Sequence, residues 1–106
     1  MGFFTAKEMD LTAAKAFWDW FKENEQWIIE KYKTDGMALV DVIDEKLKPV
    51  FPYFKRELEF QLGYNDGVGE FFFFYLRNKN LKRDGVTLGE MMPDELKENW
   101  NYILEA

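Results

Sequence analysis

Residues 11–33 place apolar side chains at the 3.6-residue spacing of one long amphipathic helix. The residues on its central face are Ala14, Phe17, Phe21, Ile28 and Tyr32. Asp10 and Thr12 are both suitable N-caps, and Thr5 with Glu8 has the spacing of a capping box. We therefore expect a single helix over this range, with its first residue left open.

A second helical pattern covers residues 37–48, after the turn-forming residues 34–36. Its apolar positions are Leu39, Val40, Ile43 and Leu47. Pro49 and Pro52 follow, and they end the helix because proline lacks the backbone N–H that a helix needs. The N-terminal half therefore predicts two helices joined by a short turn.

The apolar period changes to two in segments 57–64 and 70–77, a pattern typical of paired strands with one buried face. Asp66 and Gly67 between them suit the two positive-φ positions of a type I′ turn. A two-residue loop fixes the register and places six apolar residues on one face. The facing pairs are Leu62 with Phe71, Phe60 with Phe73, and Leu58 with Tyr75. We expect the two helices to cover that face.

The opposite face of the hairpin combines carboxylates with large apolar side chains. Its members are Glu57, Glu59, Gln61, Phe72, Phe74 and Leu76. Two phenylalanines and a leucine would form a large apolar patch, so we expect another element to cover them. The C-terminal segment is the candidate for that cover.

The C-terminal segment has two interpretations. Pro93, Asp94 and Glu95 are typical of the first turn of a helix. The apolar stripe of such a helix would be Leu96, Trp100, Ile103 and Leu104. Alternation of the apolar positions 100, 102 and 104 favours a strand instead. The helix is preferred on its N-terminal signals.

These elements together predict an α+β fold. Two N-terminal helices pack on a small antiparallel sheet centred on the 57–64/70–77 hairpin, and a C-terminal helix follows. Residues 86–88 suggest a short third strand, and Thr87 with Glu90 has the spacing of a second capping box. The length of 106 residues fits a single domain.

The composition excludes several classes of chemistry. The chain has no Cys, His or Ser, which excludes disulfides, thiolate or imidazole metal sites, and serine or cysteine hydrolases. Calcium or magnesium would need oxygen ligands, and the segment NDGVGE at 65–70 does not match an EF-hand loop. We expect no cofactor, no metal and no enzymatic activity.

The charge balance is acidic. Fourteen Lys and Arg residues against twenty Asp and Glu residues give a net charge of −6. Nucleic acid is not an expected partner, because phosphate contacts need a basic surface, and a basic protein is favoured instead. No stretch has the roughly 18 apolar residues of a membrane span, and the first ten residues lack a signal-peptide pattern. The expected location is cytoplasmic.

Four aromatic residues are candidates for a binding surface. Trp20 and Trp27 flank the apolar face of the first helix, and Phe72 and Phe74 lie on the outer side of the hairpin. Large aromatic side chains often anchor interfaces. The alternative is that they belong to the core, since a small domain buries most of its large residues.

Three carboxylates accompany the second pair of aromatics. Glu57 and Glu59 share the outer face of the first strand, and Glu70 lies nearer the turn on the second. Acid–base catalysis needs two carboxyl groups with different environments. A solvated, polar outer face of the hairpin is preferred over catalysis, and Glu57 and Glu59 are kept as candidate binding residues.

A local basic cluster follows the second strand. Its members are Arg77, Lys79, Lys82 and Arg83. Because arginine presents paired donors to phosphate or carboxylate, this cluster is a candidate anion-binding site. The alternative is a solvated loop whose charges protect an edge strand.

Two short motifs resemble those of a known group of proteins. FWDWF at 17–21 is followed by Asn24 and Glu25, and LEFQLG at 58–63 is followed by Gly69 and Glu70 before an apolar strand. These residues are similar to a loosely defined group of small, uncharacterised bacterial proteins with an FWxWF…NE helix and an LEFxLG…GE hairpin. The resemblance implies no activity, and in that group a helix and then a strand usually follow the hairpin.

The functional hypothesis is a non-enzymatic protein-binding domain. An acidic immunity or inhibitor protein of bacterial or phage origin, which caps a basic toxin or nuclease, fits the charge and the missing catalytic residue types. Homo-oligomerisation through the outer face of the hairpin is the first alternative. A small anion- or ligand-binding domain that uses the basic cluster is the second.

Overall fold

A computed structural model describes residues 8–106 of the chain. The elements in chain order are α1 (Leu11–Glu23), α2 (Glu25–Thr34), α3 (Gly36–Leu47), a 3-10 turn (Lys48–Val50), β1 (Glu59–Asn65), β2 (Val68–Phe74), α4 (Lys79–Glu90), α5 (Asp94–Lys97) and β3 (Trp100–Glu105). The fold class is α+β, as predicted. The capping box predicted at Thr5 and Glu8 involves Thr5, which lies outside the described residues.

The predicted helix over 11–33 is two helices that meet at Asn24. α1 begins after Asp10, whose carboxylate accepts a hydrogen bond from Ala13 N–H at 3.0 Å. Asn24 has φ −114° and ψ 20°, and its side-chain amide donates to the Trp20 carbonyl at 2.9 Å. A side chain that bonds to the backbone in this way competes with the helical ladder. The prediction of one continuous helix is therefore wrong at this residue.

The second predicted helix is confirmed as α3. Its N-cap is Asp35, whose carboxylate accepts a hydrogen bond from Ala38 N–H at 3.2 Å. Leu39, Ile43 and Leu47 are buried, as their spacing predicts, whereas the fourth predicted position, Val40, is 49% exposed. The helix ends where the proline-containing 3-10 turn begins.

The predicted hairpin register is confirmed. Leu62 of β1 pairs with Phe71 of antiparallel β2, as the two-residue loop requires. Asp66 and Gly67 have φ values of 51° and 81°, the left-handed pair of a type I′ turn. The observed strands differ from the predicted ranges at their ends. β1 covers 59–65 where 57–64 is predicted, and β2 covers 68–74 where 70–77 is predicted, so both are shifted toward the turn.

The C-terminal segment ends in a strand, not in the predicted helix. β3 pairs with β2 in parallel and completes a three-stranded mixed sheet in the order β1-β2-β3. The helix signals around Pro93 produce only the four-residue α5, with Pro93 as its N-cap. The alternating Trp100, Tyr102 and Leu104 pack against the core. The predictions of a purely antiparallel sheet and a C-terminal helix are therefore wrong.

Residues 79–90 form α4, where the sequence predicts a basic loop and a short strand at 86–88. Asn78 caps this helix, and its side-chain oxygen accepts a hydrogen bond from Asn80 N–H at 2.9 Å. Gly85 weakens the helical pattern in the sequence, but the packing requires it. A Cβ at that position would lie only 2.7 Å from Leu104 Cδ1. The predicted strand and the capping box at Thr87 are wrong, because both lie inside the helix.

The core lies between the helices and one face of the sheet, which we call the inner face. Inner-face Phe71 and Phe73 are 0% exposed. Phe17 and Trp18 of α1 meet Phe71 edge to face, with ring centroids 6.0 and 6.1 Å away. Trp18 Nε1 also donates to the Leu88 carbonyl of α4 at 2.9 Å. α1 and α4 therefore lie on the same side of the sheet.

Candidate functional site

The other side of the sheet, which we call the outer face, brings together residues from all three strands. Its rows, each in the order β1, β2, β3, are Gly63–Glu70–Asn101, Gln61–Phe72–Ile103 and Glu59–Phe74–Glu105. Sequence reasoning missed Ile103 and Glu105 as members of this face. The apolar residues at 100, 102 and 104 indicate a strand, and a strand places residues 103 and 105 on the opposite face. The helix signals at residues 93–95 led instead to the prediction of a helix here.

Phe72 and Phe74 are partly exposed and contact each other. Their rings stack with centroids 6.5 Å apart and an interplanar angle of 13°. Neither belongs to the core cluster or to the side chains packed against it. The predicted cover by a C-terminal element is wrong, because β3 lies beside them and adds Ile103 to the same face. In the part of the chain from residue 8 onward, the helices contact the inner face instead.

A turn after β2 brings another apolar side chain to the end of this face. Leu76 and Arg77 have φ values of 54° and 56°, and Asn78 N–H donates to the Tyr75 carbonyl at 2.9 Å. These features define a type I′ turn built from two residues that resist it. The left-handed conformation costs such a residue roughly 1–2 kcal/mol. Leu76 is 37% exposed and lines a shallow groove with Phe74.

Exposed carboxylates surround these apolar side chains. Glu57 and Glu59 line the groove beside Phe74, together with Arg56. Glu105 flanks Phe74 from β3. We use the name outer patch for Phe72, Phe74, Leu76 and Ile103 with the carboxylates Glu57, Glu59, Glu70 and Glu105. The outer patch combines an apolar centre with a negatively charged rim.

The two tryptophans proposed as binding residues lie in the helical layer, away from the outer patch. Trp20 and Trp27 contact each other edge to face, with centroids 6.4 Å apart. Both are partly buried and pack against the core. Lys46 Nζ lies 5.8 Å from the Trp20 ring centroid, within the range of a cation–π interaction. The structure therefore divides the predicted binding residues between two sides of the molecule.

Arg83 of the predicted anion site is paired with a buried carboxylate. Its Nε and Nη2 donate to the two carboxylate oxygens of Asp84 at 2.8 and 3.0 Å. Asp84 is 5% exposed and also accepts a hydrogen bond from the Tyr53 hydroxyl at 2.6 Å. Burial, together with this hydrogen bond, raises the pKa of Tyr53. Arg83 thus balances the charge of a carboxylate that would be costly to bury alone.

The other three basic residues lie around the start of α4. Lys82 Nζ is 5.5 Å from the Tyr75 ring centroid, a second cation–π geometry. Arg77 lies in the strained turn, and Lys79 is the first residue of the helix. Two of the four predicted cations, Lys82 and Arg83, therefore already have partners within the chain.

Metal and membrane sites find no support in the described structure. Within residues 8–106, no group of three Asp or Glu side chains is arranged to hold a metal ion. Every buried polar side-chain atom in this range has a hydrogen-bond partner. No helix in the same range is long and apolar enough to cross a bilayer.

No protein-family model, curated protein or solved structure matches the chain. No activity, partner or site residue is therefore taken from a relative. The functional proposal rests on the geometry of the outer patch alone.

Proposed function

We propose that this chain is a non-enzymatic binding domain whose outer patch docks a basic partner protein. The observation that supports the proposal is a partly exposed, stacked aromatic pair beside carboxylates, on the sheet face opposite the one on which the helices of residues 8–106 pack. An immunity or inhibitor protein that caps a basic toxin or nuclease is the form of this function that fits best.

The apolar centre supplies the anchor for such a complex. Phe72 and Phe74 present partly exposed aromatic surface outside the core cluster of the described residues. Aromatic side chains near the centre of an interface commonly provide most of its binding energy. Leu76 adds to this surface through a backbone conformation that is unfavourable for leucine. Strain of this kind is often retained where it serves a binding site.

The charged rim determines which partner is favoured. If two copies of the chain stacked their outer patches, the rims around Glu59, Glu70 and Glu105 would oppose each other, and like charges would repel. The net charge of −6 adds to that repulsion. A partner with lysines or arginines around an apolar centre instead gains complementary charge and faster association. The outer patch therefore favours a basic protein over a second copy.

The test compares a substitution in the outer patch with a control substitution elsewhere on the surface. Both replace an apolar side chain with aspartate, so the change in charge is the same. Phe72→Asp places a charge in the outer patch, and Leu11→Asp does so at the 58%-exposed first residue of α1. Each variant is immobilised, exposed to lysate of the source organism, and compared with the wild type by mass spectrometry. The affinity of any retained protein is then measured directly, and circular dichroism checks each fold.

We expect a basic protein to bind the wild type and Leu11→Asp and to lose at least about 30-fold in affinity for Phe72→Asp. Glu59→Lys with Glu105→Lys should weaken the same complex, and added salt should weaken it further because the attraction is electrostatic. Unchanged binding by Phe72→Asp, equal loss with Leu11→Asp, or no retained protein at all would contradict the proposal.

A further inference from the structure

The free edge of β1 is a second surface, separate from the outer patch. Gly69 N–H donates to the Asn99 carbonyl at 2.7 Å, so the odd-numbered residues of β2 direct their backbone groups toward β3. The even-numbered residues of β2 therefore bond to β1, where their partners are residues 59, 61, 63 and 65. The β1 residues that direct N–H and C=O groups to the free edge are Phe60, Leu62 and Tyr64.

These outward groups have no hydrogen-bond partner within residues 8–106. Natural edge strands are usually protected from other chains by lysine, proline or a bulge. β1 has the sequence EFQLGYN, with neither lysine nor proline, and it pairs with β2 without a bulge. No strand among residues 8–106 pairs with this edge, so it can accept another strand.

We propose that two copies of this chain pair edge to edge through β1, antiparallel, about a twofold axis at Leu62. In this register Leu62 faces its own counterpart, and Phe60 faces Tyr64 of the second copy. The twofold axis adds the symmetric pair of Tyr64 with Phe60 of the second copy, which makes three pairs. Each pair forms two hydrogen bonds, so six bonds use all the outward groups of both strands. This proposal goes beyond the proposed function and does not depend on it.

The side chains of β1 are compatible with this symmetric pairing. On the outer side, Glu59 faces Asn65 of the second copy and Gln61 faces Gly63. No carboxylate of β1 therefore opposes another, in contrast to a dimer through the outer patch. Cross-strand pairs without like charges stabilise a sheet. The free backbone groups and the charge pattern of β1 thus both fit a second copy.

Exposed apolar side chains lie beside the same edge. Tyr32, Met37 and Val40 are 39%, 81% and 49% exposed, and they line a groove with Phe60 and Leu62. A second β1 strand would bring its own aromatic residues to this groove and cover part of that surface. Removal of exposed apolar area from water favours association.

The other edge of the sheet, at β3, is less suited to such pairing. Charged Glu90 and Lys97 border it. The groove there is lined by the buried or partly buried Met92, Trp100, Tyr102 and Leu104, and Val86, which is 45% exposed, is its exposed apolar residue. Desolvating those charges would oppose association. The β1 edge is therefore the surface to which we assign the dimer.

The first test measures mass by light scattering over a range of concentrations up to millimolar. Wild type should approach twice the 12.7 kDa of one chain. Gln61→Lys with Gly63→Lys places like charges opposite each other across the axis, whereas Gln61→Glu with Gly63→Lys places opposite charges there. A side chain at Gly63 has room, since its Cβ would lie 3.5 Å from the nearest atom, Glu70 Oε1.

We expect the like-charged variant to dissociate about tenfold more readily than wild type and the opposite-charged variant to dissociate less readily. Added salt should strengthen the wild-type dimer, because it screens two chains of net charge −6. A complex with a basic partner responds to salt in the opposite way, so the two proposals fail independently.

The second test reports the register. The chain has no cysteine, so Glu59→Cys and Asn65→Cys each introduce one thiol at an exposed position. In the proposed dimer, position 59 of one copy faces position 65 of the other. The two thiols therefore meet only when a Glu59→Cys chain pairs with an Asn65→Cys chain. Oxidation of the mixture should therefore give a covalent dimer, whereas neither variant should cross-link alone.

Three outcomes would overturn the proposal. One is a wild-type mass that stays at 12.7 kDa throughout. Another is a dimer whose dissociation changes equally in the like-charged and opposite-charged variants, which would indicate that it forms through the β3 edge or the outer patch. The third is cross-linking that does not require both cysteine variants. A monomer whose β1 edge binds a segment of a different protein would give the first outcome.

Discussion

The run of four phenylalanines in β2 places the same residue type in two different environments. Phe71 and Phe73 are 0% exposed beneath the helices, whereas Phe72 and Phe74 are partly exposed and, among residues 8–106, stack on each other and on no other ring. Successive side chains of a strand point to opposite faces, so the position along the strand decides which role each has. Hydrophobicity alone therefore does not identify the core here, and one strand supplies both the core and the candidate binding surface.

The largest expected difference between the two faces is in stability. Phe73→Ala removes a fully buried ring and should lower the free energy of unfolding by about 3–5 kcal/mol. Phe74→Ala removes a partly exposed ring and should lower it by about 1 kcal/mol or less. Urea denaturation of both variants and the wild type measures the difference. Equal losses would show that the outer face is part of the core.

A smaller effect should appear at alkaline pH, where the inner face contains a titratable group. The Tyr102 hydroxyl donates to the Gly85 carbonyl at 2.8 Å, and burial raises the pKa of Tyr102 above its ordinary value of 10.0. The folded state therefore favours the protonated hydroxyl. This contribution is complete below pH 10 and declines as the pH rises through the folded-state pKa.

At pH 11 the raised pKa of Tyr102 should lower the free energy of unfolding by about 1 kcal/mol relative to neutral pH. Tyr102→Phe removes the titrating group, so its stability should fall less between pH 10 and 11, even though it is lower at pH 7. Tyr53, whose pKa is also raised, still titrates in that variant. Identical alkaline slopes for wild type and Tyr102→Phe in denaturant titrations would contradict the prediction.

The smallest effect concerns the two type I′ turns that flank β2. The hairpin turn has Gly67 at φ 81°, whereas the turn leading to α4 has Arg77 at φ 56°. Arg77→Gly should raise the free energy of unfolding by about 1 kcal/mol, because it relieves a left-handed conformation. Gly67→Ala should lower it by about the same amount, and thermal unfolding compares the two. A destabilised Arg77→Gly would show that the arginine side chain outweighs the backbone strain.

Local patterns predicted the hairpin and α3 correctly. The Asp66–Gly67 loop and the alternation around it fix the register, because a two-residue turn allows one pairing and a shift by one residue would expose every buried side chain. Asp10, one of the two N-caps that the sequence left open, caps α1, whereas Asp35, which the sequence placed in a turn, caps α3. The same alternation predicts the outer positions of Phe72, Phe74 and Leu76 and of Glu57, Glu59 and Glu70. Six of the eight outer-patch residues could therefore be predicted, and only Ile103 and Glu105 could not.

The sequence by itself determined the α+β class, the hairpin and the alternation that separates the two faces of β2, since these depend on residues close together in the chain. Tertiary structure alone decided that residues 100–105 pair with β2, that Gly85 and its neighbours form a helix against Leu104, and that the outer face lacks the expected cover. In each case contacts between distant residues outweigh local propensity, because burying Trp100 and Leu104 against the core stabilises the strand more than the signals at Pro93 stabilise a longer helix.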